Sequence, residues 1–154
     1  MDISSTLIGM GMLFLFVGPI IFLIYSQKQN YTRLNKLLNQ KSEEYSIKPD
    51  TTELTPTILL GLDATLKKLL YVYPEHKQAM IVSLSDIKDC GIKKVNFKDL
   101  PGSINFVSLI LNLKKREEPA VEIVFYNEND DSTTDSGAQL QLANKWEKII
   151  SRHL

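Results

Sequence analysis

The chain has 154 residues, with 18 basic side chains against 18 acidic and a formal net charge of zero. That balance argues against a nucleic-acid surface, which needs a basic excess. The single cysteine, Cys90, allows no internal disulfide, excludes a multi-cysteine metal site and suits a reducing compartment.

Leu7 to Tyr25, LIGMGMLFLFVGPIIFLIY, is 19 residues without a charge. As a helix it measures roughly 28 Å, close to the ~30 Å hydrocarbon core of a bilayer. No Lys or Arg precedes it, and no small residues follow at cleavage spacing, so it reads as an uncleaved anchor. The expectation is one transmembrane helix within residues 1–26, bent at Pro19 and with Tyr25 at the interface. Lys28, Arg33, Lys36 and Lys41 flank it on the C-terminal side, with no acidic residue before Glu43. The positive-inside bias then predicts a single-pass protein of the cell (inner) membrane, N-terminus outside and the remainder cytoplasmic.

Residues 27–53 read as a juxtamembrane helix and linker. Tyr31, Leu34 and Leu38 share a helical face. That face would rest on lipid headgroups, or form a short self-association seam. Ser46 to Thr57, with Pro49 and Pro56, reads as extended chain.

Residues 54–154 change to a strand pattern. Ile58–Asp63, Leu69–Tyr73, Ala79–Leu84, Ile87–Phe97, Ile104–Lys114 and Ala120–Tyr126 are six strand stretches. Gly91 is the expected place of a bulge or strong bend, and Pro101-Gly102 and Lys114 to Pro119 are expected turns. Val107, Leu109, Leu111 and Leu113 alternate with Ser108 and Asn112, and Val121, Ile123 and Phe125 alternate with Glu122. Such alternation predicts an antiparallel sheet with one wet face. An amphipathic helix closes the chain, with Ser136 as N-cap and Gln139 completing a capping box. Trp146, Ile149 and Ile150 lie on its apolar stripe.

Strands in hairpin order, then one helix with the pattern Ala143, Trp146, Ile149, Ile150, resemble the pleckstrin-homology-like (PH-like) superfold of bacterial membrane-anchored proteins. The segments GLDATLKKLLYVY and IVSLSDIKDCGI look like its strand pairs. The resemblance implies an α+β, mainly antiparallel β, domain: a bent barrel or roll of six to seven strands behind the N-terminal transmembrane helix. Trp146, Ile149 and Ile150 would be the helix plug that caps it, and a seventh strand would fall within Tyr45–Leu54. Phosphoinositide-binding relatives use basic residues at the first hairpin, where Lys67 and Lys68 stand here as possible headgroup contacts.

Asn127, Asn129 and Asp131 imitate the start of a calcium loop, but Ser132 and Ala138 break it. His76 and His153 sit in no catalytic motif, and Cys90 reads as a small core residue. No cofactor, metal or catalytic residue is expected. The sequence predicts a non-catalytic interaction or scaffold module whose partners are the lipid bilayer and another protein, and not nucleic acid. The alternative is a headgroup-binding module.

Overall fold

The computed structural model describes residues 3–97, 102–115, 119–130 and 134–154, apart from the side chains of residues 3–11, 14, 23, 24 and 27. Its first element is α1, Ile3–Glu44, a 42-residue helix with Pro19 inside it. Seven strands follow: β1 (Thr51–Leu54), β2 (Leu59–Asp63), β3 (Lys68–Tyr73), β4 (Gln78–Ser83), β5 (Ile87–Asn96), β6 (Ile104–Leu113) and β7 (Val121–Asn127). The chain ends in α2, Ser136–Ser151.

The expected transmembrane anchor is overturned. Among the described residues no helix is long and apolar enough to cross a membrane. The apolar stretch is not a separate span either, since α1 runs on past Tyr25 through Lys28, Arg33, Lys36 and Lys41. In place of the expected bent barrel or roll of six to seven strands, the strands form two antiparallel sheets, β1-β2-β3-β4 and β5-β6-β7.

The second half of α1 belongs to the fold. Leu38 is fully buried, grouped with Ile47, Leu59, Leu70 and Val72, and Leu34 and Leu37 pack beside it. A Schellman motif ends the helix. Ser46 adopts φ 53°, the Ile47 N–H reaches the Ser42 carbonyl at 2.8 Å, and the Ser46 N–H reaches that of Glu43 at 3.1 Å. Ile47 is then turned onto the same apolar cluster.

This explains why β2 and β3 carry continuous apolar runs. Leu60, Leu62, Leu69 and Tyr71 belong to the main core, while the alternate residues Leu59, Leu70 and Val72 lie under α1. Both faces of the first sheet are covered, and a strand so placed has no wet face to alternate with. Gly61 lets the chain cross closely: a Cβ there would meet the Pro49 ring at 3.0 Å.

Part of the expected linker is a strand, since Thr51–Leu54 pairs with Leu59–Leu62. The second sheet shifts register between Ile87 and Asp89 and between Val95 and Asn96, whereas Gly91 pairs regularly with Ile110. The irregularity therefore falls at the ends of β5, not at its glycine. α2 packs across β5, β6 and β7. Trp146 and Ile150 are fully buried in the main core, and Ile149 is packed against it. Asp135, not Ser136, caps the helix, its Oδ1 accepting the N–H groups of Gly137 at 2.8 Å and Ala138 at 3.3 Å. Pro101, residues 116–118 and the residues 131–133 of the calcium-like stretch lie outside the described residues.

Candidate functional site

Two grooves open at one end of the molecule. The β1–β2 connection at Pro56 and Thr57 meets the β3–β4 loop, Pro74 to Lys77, and a groove opens on either side. The loop holds its shape through Lys77 at φ 51°, a left-handed conformation matched by Lys67 in the β2–β3 loop.

The groove on the α1 side has a volume of about 510 Å³. Leu34, Leu37, Pro56 and Pro74 give it an apolar floor, and Arg33, Lys36 and Lys77 ring it, with Glu75 the one lining carboxylate. The groove on the other side, about 720 Å³, runs between Tyr73 and the outer edge of β7. Its rim carries Glu75, His76 and Asp130. There the Tyr73 hydroxyl accepts the Val124 N–H at 2.9 Å, joining the two sheets across the groove. Burial raises the Tyr73 phenol above its ordinary pKa, and the Val124 hydrogen bond opposes that shift. Burial also pushes Tyr71 up to about 12, its hydroxyl turned to the Met80 sulfur at 2.8 Å.

The basic residues singled out in the sequence are dispersed by the fold. Arg33 and Lys36 reach the first groove. Lys41 is engaged by Glu44 at 2.7 Å, and Lys28 lies nearer the N-terminus of α1 than Arg33, its carbonyl accepting the Thr32 hydroxyl. Lys67 and Lys68 stand at the opposite end of the first sheet. That is the end where Asp63 accepts the Lys48 N–H at 3.0 Å and the Leu66 N–H at 2.8 Å. They therefore do not join the other cations. Lys77 carries no sequence signal of its own, because a lone lysine between His76 and the first residue of β4, Gln78, gains a site only through the fold.

Elsewhere the polar chemistry is local. On the outer face of the second sheet, Ser108 is buried and donates to Glu122 at 2.7 Å, with Lys93 at 3.2 Å. The Ser108 hydroxyl, and then Lys93, hold the Glu122 carboxyl below its ordinary range. Cys90 lies beside Ser151 at 3.2 Å, and burial raises its thiol pKa. His76 is at the rim of the second groove, and His153 lies beyond α2. Among the described residues no three His, Cys, Asp or Glu side chains gather as a metal site. Fold and grooves together define a two-sheet α+β domain with a long helix laid on its outer face. No family model matches the chain, nor does any curated protein or any solved structure.

Proposed function

We propose that this chain is a non-catalytic interaction module working at the cytoplasmic face of the cell membrane, with lipid covering the first half of α1 and a protein partner meeting the domain. One observation carries the reading. Between Met12 and Tyr25, Leu13, Leu15, Phe16, Ile20, Ile21 and Phe22 are all exposed, Leu15 at 74% and Phe16 at 71%. They point to every side of the helix, and an apolar surface of that kind needs a nonaqueous or protein cover. The cations that follow on α1 favour an anionic lipid surface next to it.

The protein partner is the less defined half. What supports it is the second sheet, whose order leaves the ten-residue β5 with a neighbour on one side only among the described residues. An open strand edge is a ready template for an extended peptide. Kinship with PH-like domains belongs to this proposal as well, supported by hairpin-ordered strands divided four and three and followed by one helix.

The test is flotation of the full chain with phosphatidylcholine vesicles. The chain is expected in the lipid fraction, and the double variant Phe16→Gln, Ile20→Gln in the aqueous one. A wild-type chain that stays monomeric and lipid-free would remove the reading.

A further inference from the structure

We propose that the groove between α1 and the β3–β4 loop is a headgroup site for an anionic phospholipid, in which Arg33, Lys36 and Lys77 hold the phosphate. The inference rests on the membrane reading above and adds a place and a chemistry to it.

Three cations from two separate elements surround one opening, and Glu75 is the lone carboxylate among its lining residues. Two of them lie on α1 and the third on the loop facing it, where Glu75 also stands, so the groove carries a net excess of two formal positive charges. Leu34, Leu37, Pro56 and Pro74 form a floor suited to the glycerol and upper acyl carbons beneath a phosphate.

Position gives the second argument. The run of exposed apolar side chains that starts at Met12 breaks at Tyr25, with Tyr31 alone exposed further along α1, and the groove begins at Asn30. At ~1.5 Å per residue that interval is roughly 8 Å, and the headgroup layer of a leaflet is about 5–8 Å thick. Helical side chains also lean toward the N-terminus, so Arg33 and Lys36 tilt toward the apolar end, and their long stems can reach it. Three other basic residues singled out in the sequence stand apart from these. Lys41 is engaged by Glu44 at 2.7 Å, while Lys67 and Lys68 stand at the far end of the first sheet.

The experiment uses the full chain and two vesicle types, phosphatidylcholine alone and phosphatidylcholine with phosphatidylserine, with partition read by flotation. Wild type should prefer the anionic vesicles. Arg33→Gln, Lys36→Gln and Lys77→Gln should each weaken that preference about fivefold, the effect of ~1 kcal/mol per basic residue near a charged surface. The pair Lys67→Gln, Lys68→Gln should leave it unchanged, a control that removes two charges where each test variant removes one. Equal binding to both vesicle types, or equal losses from the control pair, would overturn the headgroup site while leaving membrane attachment standing. Binding to neither vesicle would overturn both.

Discussion

The Oδ2 atom of Asp63 accepts the backbone N–H of Lys48 at 3.0 Å, and its Oδ1 accepts that of Leu66 at 2.8 Å. One carboxylate thus fastens the chain leaving α1 to the loop that joins β2 and β3. Asp50 reciprocates, its Oδ2 taking the Ala64 N–H at 2.9 Å. The Leu66 and Lys48 hydrogen bonds hold the Asp63 carboxyl below its ordinary pKa.

That pairing predicts acid sensitivity with a definite sign. A carboxyl whose folded pKa is lowered contributes stability above its unfolded pKa of about 3.9, and the contribution fades as pH falls toward the folded value. Urea unfolding between neutral pH and pH ~3 should show this loss. Asp63→Ala should cost roughly 1–2 kcal/mol at neutral pH, the usual effect of removing a side-chain cap, and should flatten the acid limb. An acid limb unchanged by the substitution would contradict the clamp.

A second prediction concerns Gly61. A Cβ at that position would approach the Pro49 Cγ to 3.0 Å and its Cβ to 3.2 Å. The proline ring cannot swing aside by rotation about a side-chain bond, so the strap over β2 must shift. Gly61→Ala should lower stability by about 1–2 kcal/mol, in the range for overpacking. Combining it with Pro49→Ala should cost less than the two changes summed, and a double-mutant cycle in urea measures the difference.

How far the sequence could be read depends on whether a residue's surroundings are local. The strand stretches between Ile58 and Tyr126 lie within a residue or so of β2 to β7, because strand periodicity and turn residues are written into neighbouring positions. The layer formed by α1 was not legible. Leu38 pairs with β2 and β3 residues far along the chain, and the helix ends in a left-handed Ser46 where glycine would have announced the stop. The doubly covered face showed only as missing alternation in ILLGLD and LLYVY, a signal open to other readings. Neither could the first groove be foreseen, since Arg33, Lys36 and Lys77 meet only once α1 lies against the β3–β4 loop.

Cys90 supplies a chemical prediction. Burial raises its thiol pKa, opposed by the hydrogen bond with Ser151. The thiolate is the reactive form, so at pH ~8 the native chain should react with a disulfide reagent more slowly than an ordinary cysteine of pKa about 8.5. Unfolding in urea should restore the ordinary rate. A native rate equal to the unfolded one would place the sulfur in water instead of against α2.

The last prediction concerns where the folding unit begins. A fragment of residues 54–154 would lack nearly all of β1 and all of α1, leaving the outer faces of Leu59, Leu70 and Val72 bare. Three large apolar residues on one sheet face form a patch that soluble domains cover. Residues 27–154 retain Leu34, Leu37, Leu38 and Ile47, and with them the cover. The longer fragment should therefore unfold in one cooperative transition, while the shorter one should aggregate or melt without a sharp midpoint. Within the longer fragment, Leu38→Ala should cost about 2–5 kcal/mol, as for other fully buried leucines. Trp146→Ala, at the opposite side of the first sheet, should cost about 3–5 kcal/mol. If both substitutions shift a single transition, the two cores fold as one unit. A Leu38→Ala variant with an unaltered melting curve would mean that α1 only rests on the sheet, and that the strands hold together without it.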